Sequence, residues 1–184
     1  RKTEELGIDN IEYVQADILD LHKLDRQFDI IESCGVLHHM RDPIAGWKIL
    51  AECLKNGGLM KIALYSALAR RDITKIRDGI KRSGLDSTDL SMKTLRNTVV
   101  SSNDELHNYI IQFNDFYSMS ELRDLLFHTQ EHHFTITQIQ EDLEQLRLKF
   151  CGFESDRAVQ EFSLRNIKPN ALYDLEIWDR FEHE

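Results

Sequence analysis

The chain has 184 residues, 41% of them hydrophobic and only two of them proline, which argues against disorder and allows one domain with a substantial core. Its formal net charge of -9 at pH 7 disfavours a nucleic-acid partner, because phosphate backbones require a strong basic patch. No apolar run approaches the ~20 residues of a membrane span, so we expect no membrane partner.

The cysteines indicate the redox environment. Cys34, Cys53 and Cys151 are far apart and form no Cys-x-x-Cys pair. This spacing predicts neither a disulfide framework nor a thiolate zinc site. It favours a reducing, cytoplasmic location, and no leading apolar stretch resembles a signal peptide.

The first third of the chain has the pattern of an α/β unit. Two nearly continuous apolar runs are typical of buried parallel strands. Between the second run and a third lies a helix that should begin at Asp42-Pro43, a capping residue and a proline, and end at Asn56-Gly57-Gly58. The predicted order is helix, strand, strand, helix and strand, over residues 1–7, 11–17, 28–37, 43–55 and 59–66.

The rest of the chain is mainly helical. Amphipathic segments follow one another from residue 67 to about residue 148. One helix is expected to begin at Ser118, with Glu121 in capping-box position, and another at Thr135 or Thr137. Strand character returns over residues 146–154, and the remaining residues are predicted to be helical.

Ligands bind open α/β sheets at the carboxyl ends of the strands, which directs attention to Asp17, to Tyr65 and to residues 32–39. His38 and His39 are adjacent, and adjacent side chains on an extended chain point opposite ways, so they do not suit one metal ion. One imidazole could act as a general base, because imidazole titrates near neutrality. A role in packing or helix entry is equally open.

A second histidine motif lies in the helical region. His128, Glu131 and His132 follow the HxxEH order of inverzincin metallopeptidases, and on a helix the two histidines would share a face. The α/β surroundings differ from that family, so a peptidase is only a minor alternative. The segment could instead contribute His128 or Glu131 to a substrate pocket, or it could be a solvated helix end.

Three stretches of the first third, ADILDL, FDIIESCGVLHHMRDP and LKNGGLMKIALYS, together resemble the middle of a class I S-adenosylmethionine-dependent methyltransferase. The resemblance covers residues 1–66 well and the rest loosely. It implies a Rossmann-like methyltransferase sheet with a helical insert. The implied parts are a cofactor-binding α/β core at residues 1–66, an insert or lid at 67–145, and a C-terminal strand and helices of the core at 146–184.

The resemblance also implies a site for S-adenosyl-L-methionine. In such enzymes an aspartate and the next backbone amide meet the adenine edge, and these roles fall on Asp17 and Ile18. The segment under the methionine half of the cofactor corresponds to Ser33, Cys34 and Gly35. Small residues allow a backbone to approach a ligand closely, whereas Cys34 could simply be a buried small side chain and Asp17 a turn residue.

The Gly-rich loop of this family is missing, because no two of the eight glycines have the GxGxG spacing. A strand that ends in a ribose-binding acid and the closing strand of the sheet are also missing. We therefore expect a fragment whose sheet is incomplete at both ends, which binds the cofactor weakly or not at all and is inactive alone.

The predicted function is methyl transfer to a small-molecule acceptor, because the SCGVLHH loop replaces the NPPY-type loop of many amino-methylating relatives. A protein acceptor remains open. The catalytic candidates are His38, His39 and His128. The alternative is a non-catalytic, methyltransferase-like module whose insert binds a protein partner. Exposed edges of an incomplete sheet would favour homo-oligomers.

Overall fold

The computed structural model describes residues 2–166 and 168–184, which form a mixed α/β structure with short parallel sheets. Arg1, where the first predicted helix begins, lies outside these residues. The helices are α1 Lys2–Glu5, α2 Pro43–Glu52, α3 Arg71–Ser83, α4 Asp89–Val100, α5 Glu105–Ile110, α6 Met119–Phe127, α7 Ile136–Gln145, α8 Asp156–Arg165 and α9 Leu175–His183. The strands are β1 Phe28–Cys34, β2 Leu54–Ala63, β3 Tyr65–Ser66 and β4 His133–Phe134. None of these helices is long and apolar enough to cross a membrane.

Strands β1 and β2 form a parallel pair, with Cys34 opposite Ala63 at its carboxyl end. The predicted helix stop at residues 56–58 is wrong, because α2 ends at Glu52 and these residues lie in β2, where the register shifts. A side chain on Gly58 would meet the Asp29 carbonyl at 2.9 Å. Gly58 therefore serves a close approach between strands, and Gly57 supplies a left-handed φ of +77° within β2 rather than a helix end.

Helix α2 begins where the sequence predicts. The Asp42 carboxylate accepts a hydrogen bond from the Ala45 amide at 3.0 Å, and Pro43 occupies the first helical position. Its apolar face packs on the sheet. The buried members of this first core are Ile31, Leu37, Trp47, Leu50 and Cys53.

Two predicted strands are absent from the described residues. Residues 11–17 form no strand, and Ile11, Tyr13 and Val14 are exposed. Residues 146–154 are also irregular. Both segments carry apolar side chains, but neither pairs through its backbone with a strand of the described ranges. Asp17 instead precedes a 3-10 helix, Ile18–Leu24, that contacts α2.

Helices α3 to α6 share a second core. Its buried side chains are Ile73, Ile76, Ile80, Met92, Val99, Ile110, Phe116, Leu122, Leu125 and Leu126. Helix α6 begins after Ser118 as predicted, but the Ser118 side chain makes no cap hydrogen bond, and its hydroxyl meets that of Ser120 instead. After α6 the chain returns to β3, because β4 pairs with it in parallel through Tyr65 opposite His133.

A third core joins the C-terminal helices to α7. Phe162 and Trp178 stack with ring centroids 3.8 Å apart, and Ile136, Ala171 and Leu175 complete the buried set. Leu143 of α7 contacts both this core and the first one. Helix α7 therefore connects the C-terminal helices to the α/β unit.

Candidate functional site

The carboxyl ends of β1 and β2 lie side by side, and the chain that leaves β1 crosses this edge. Gly35 has a left-handed φ of +73°, which favours glycine, and no other atom lies within 4 Å of where its Cβ would be. A short 3-10 helix, Leu37–His39, follows. Nδ1 of His38 lies 3.3 Å from the carbonyl oxygen of Ala63, which places this ring at the end of β2.

Four aromatic side chains from three parts of the chain form a cluster at this edge. The His38 ring lies 4.2 Å from both the His39 and the Tyr65 ring, between centroids. The His128 ring lies 4.1 Å from that of His39. The structure thus brings together all three histidines that the sequence suggests as catalytic candidates, together with Tyr65. We call these four side chains the histidine cluster.

Backbone hydrogen bonds attach the segment after α6 to the loop after β1. The His132 amide donates to the His38 carbonyl at 2.8 Å. The backbone of Gln130 contacts two rings: its carbonyl oxygen is 3.1 Å from Nδ1 of His39, and its amide donates to Nδ1 of His128 at 3.3 Å. Hydrogen bonds therefore hold the segment of His38 and His39 against the segment of His128 to His132.

A buried ion pair lies behind this segment. Nη2 of Arg77 is 3.0 Å from the Glu131 carboxylate, and the two side chains are only 9% and 3% exposed. Arg77 also donates to the carbonyls of Asp124 and Leu125, and Nε2 of His133 lies 2.7 Å from the second Glu131 oxygen. Burial by itself raises the pKa of Glu131, but the hydrogen bond with His133 and the Arg77 charge outweigh it and lower the pKa.

His38 is the most buried of the clustered histidines, with 2% of its surface exposed. Burial lowers its pKa, and the neighbouring His39 adds to this effect, whereas the Ala63 carbonyl and Glu131 oppose it. Burial therefore favours the neutral form of this ring. Its Nε2 atom and the Ser33 hydroxyl are both buried without a hydrogen-bond partner among the described residues.

The residues that the resemblance assigns to the cofactor lie in two places. The Asp17 carboxylate accepts from the Leu19 amide at 2.9 Å through Oδ1, and no hydrogen bond of the described residues uses Oδ2. Ile18 begins the 3-10 helix and contacts the first core. No hydrogen bond within the described ranges joins these two residues to Ser33, Cys34 or Gly35 at the end of β1.

The Cys34 thiol is exposed and lies 3.5 Å from the Glu32 carboxylate. Partial desolvation and this negative charge raise the thiol pKa. Cys34 therefore lacks the properties of an activated nucleophile. The open space at Gly35 and the free Asp17 oxygen do suit a polar nucleoside-type cofactor, which needs an acceptor and a close backbone approach.

The peptidase geometry is not formed. Helix α6 ends at Phe127, so His128 and His132 lie beyond it and do not share a helical face. Glu131 is engaged with Arg77. In the part of the chain that the structure describes, no group of three or more His, Cys, Asp or Glu residues could hold a metal ion.

Sequence reasoning missed Arg77 as a site residue, although a signal is present. The charges of residues 70–82 alone favour a solvated helix face, but Arg77 follows Ile73 by four positions and precedes Ile80 by three. That spacing places its side chain on the apolar face of α3. A charged residue at such a position indicates a buried partner, here Glu131.

Comparison with known proteins identifies the first part of the chain. Residues 1–60 match the sequence model of a family described as "Methyltransferase domain". A stretch of 72 residues is 36% identical to an uncharacterized protein of Synechococcus sp., and it covers 39% of this chain and 17% of that relative. The expected methyltransferase resemblance is thus confirmed for residues 1–60, which include β1, α2 and most of β2 and match the methyltransferase-domain model.

Proposed function

We propose that the protein is an S-adenosyl-L-methionine-dependent methyltransferase that acts on a small-molecule acceptor. The observation that carries this proposal is the methyltransferase-domain match of residues 1–60, whose β1 ends in the small residues Ser33 and Cys34 and is followed by Gly35. The loop that follows has no NPPY-type sequence, which favours a small molecule over an amino group of a protein.

The proposed cofactor contacts are of two kinds. Asp17 accepts a hydrogen bond from the adenine amino group, and the Ile18 amide donates to a ring nitrogen. The free Oδ2 atom of Asp17 supports this assignment, because an adenine edge presents a donor beside an acceptor. Ser33, Cys34 and Gly35 lie under the methionine portion, and the open space at Gly35 supports that assignment.

The bound cofactor supplies a methyl group on a positively charged sulfur, and the chain binds and orients the two reactants. Such catalysis depends largely on positioning, which can contribute ~7–11 kcal/mol to the barrier reduction. In this proposal the histidine cluster lies on the acceptor side. His38, His39 and His128 are its candidate acid–base groups.

Calorimetric titration of the full-length protein with S-adenosyl-L-methionine tests the proposal. Asp17→Asn keeps an oxygen for the Leu19 amide but replaces the adenine-facing oxygen with a donor, so we expect binding to weaken by about 10-fold. The matched control is Asp20→Asn in the same turn, because Asp20 is paired with Lys23 and has no proposed cofactor contact. Its affinity should match that of the wild type.

Absence of saturable binding by the full-length wild-type protein would overturn the cofactor assignment. Equal affinities of Asp17→Asn and Asp20→Asn would overturn the role of Asp17. Residues 1–184 contain no GxGxG loop, so we expect this chain alone to bind the cofactor weakly and to be inactive. Micromolar binding by it would contradict that expectation.

A further inference from the structure

Hydrogen bonds to the backbone determine which nitrogen carries the proton in each clustered histidine. A carbonyl oxygen can only accept, so Nδ1 of His38, facing Ala63, and Nδ1 of His39, facing Gln130, both carry a proton. In the neutral rings their Nε2 atoms then have a free lone pair. Nδ1 of His128 accepts from the Gln130 amide, so neutral His128 carries its proton on Nε2.

Accessibility separates the two histidines that have a free lone pair. Nε2 of His38 is buried, and a substrate cannot reach it without displacing the surrounding side chains. His39 is only half-buried, and no hydrogen bond of the described residues uses its Nε2 atom. Among the three candidates, His39 alone combines an accessible ring with a lone pair on Nε2.

The backbone of Gln130, whose carbonyl orients His39, is itself held on both sides. Its amide donates to His128, and the next residue, Glu131, is anchored by the buried ion pair with Arg77. The His132 amide bonds the same segment to the loop that carries His39. Displacement of Glu131 would therefore move the carbonyl that keeps the proton on Nδ1 of His39.

We infer that His39 is the general base toward the methyl acceptor, and that Arg77 and Glu131 are positioning residues that fix its tautomer. This inference rests on the proposed methyl transfer. The acceptor class is an alcohol, phenol or amine that carries a proton. As the bond from its oxygen or nitrogen to the methyl carbon forms and the carbon–sulfur bond breaks, the proton passes to Nε2 of His39. The imidazolium then releases that proton to solvent.

Long-range ¹H–¹⁵N NMR of the full-length protein, labelled at histidine, tests the tautomers without any acceptor. At pH 8 we expect His39 to be protonated on Nδ1 and His128 on Nε2, with the signals assigned through His39→Gln and His128→Gln. A His39 ring protonated on Nε2, or one that exchanges freely between the two forms, would overturn the inference.

A separate pair of variants tests the positioning role of Glu131. Glu131→Gln keeps the shape of the side chain but removes the charge that faces Arg77, so the His39 signals should move toward the average of the two tautomers. Glu141→Gln, at an exposed position of α7, is the matched control and should leave them unchanged. Unchanged His39 signals in Glu131→Gln, with the fold intact by circular dichroism, would contradict the role of Glu131.

Reactivity toward diethyl pyrocarbonate, read by peptide fragmentation, tests whether the lone pair is accessible. We expect His39 to react at least about 10-fold faster than His38 and His128, whose lone pairs are buried or hydrogen-bonded. Equal or faster reaction of either would overturn the assignment of His39. His39→Gln should bind S-adenosyl-L-methionine as the wild type does, because the base faces the acceptor, and a 10-fold loss of affinity would contradict this placement.

The two proposals fail separately. A wild-type protein that binds no S-adenosyl-L-methionine refutes the proposed function, whatever the tautomers are. A protein that binds the cofactor but whose His39 is protonated on Nε2 refutes only the assignment of the base.

Discussion

At the scale of single residues, Arg77 and Glu131 form the most buried ion pair of the described residues. Two charged groups have left water, and each needs full compensation inside the protein. The Arg77 guanidinium donates hydrogen bonds to Glu131 and to two backbone carbonyls, and the Glu131 carboxylate pairs with Arg77 and His133. Loss of either partner leaves a buried charge with incomplete compensation.

Arg77→Met should therefore lower the free energy of unfolding by about 3–5 kcal/mol, since Glu131 loses its cationic partner in a buried position. Urea denaturation followed by circular dichroism measures this loss. The control is Arg123→Met, whose exposed pair with Asp89 should contribute less than about 1 kcal/mol. Equal losses of unfolding free energy in the two variants would show that the buried pair stabilises the protein no more than an exposed pair does.

At the scale of secondary-structure elements, helices α6 and α7 begin with similar sequences but different caps. The Thr135 hydroxyl accepts from the Gln138 amide at 3.1 Å, and the Gln138 side chain accepts from the Thr135 amide at 2.9 Å. This is a complete capping box. Ser118 precedes α6 in the same sequence pattern, yet its side chain caps nothing.

Thr135→Ala should accordingly destabilise the protein by about 1 kcal/mol, because two amides at the start of α7 lose part of their hydrogen bonding. Ser118→Ala is the matched control and should change stability by less than half of that amount. Thermal and urea unfolding of the two variants give the comparison. A Ser118→Ala loss as large as that of Thr135→Ala would indicate that the capping geometry is not responsible.

At the scale of the whole molecule, the pair of β1 and β2 leaves apolar surface uncovered. Ile30 is 71% exposed and Leu59, its partner across the two strands, is 59% exposed. An open parallel sheet with an apolar face is prone to pair with another copy. We therefore expect this chain to self-associate through that surface.

Sedimentation velocity over a range of protein concentrations tests this expectation. Ile30→Lys should shift the chain toward the monomer, because a charge within the apolar face opposes its burial. Leu164→Lys is the control, since Leu164 is 79% exposed but lies on α8, away from the sheet. A wild-type chain that stays monomeric at every concentration would refute the prediction.

Local chemistry made some elements predictable. Asp42 and Pro43 marked the start of α2, and Thr135 was one of two predicted starts of α7, because a cap needs only residues that are close in sequence. The apolar runs at 11–17 and 146–154 were wrongly predicted as strands. A strand depends on a neighbour to pair with, which a single apolar run does not reveal.

The site was predictable only in pieces. The histidines after β1 and His128 were each recognisable, but their contact joins residues far apart in sequence and depends on the return of the chain at β4. The role of Gln130 could not be predicted, because it acts through its peptide group rather than its side chain. Tertiary structure alone reveals such a contribution.

The parallel pairing of β3 with β4 means that helices α3 to α6 leave the α/β unit and re-enter it at nearly the same point. Neighbouring strands lie ~5 Å apart, so the two ends of this helical region are close enough for a short loop to join them. The entropic cost of closing a loop grows only slowly with its length. We therefore expect that the helical region could be exchanged between related chains, which would alter one wall of the histidine cluster without rebuilding the sheet.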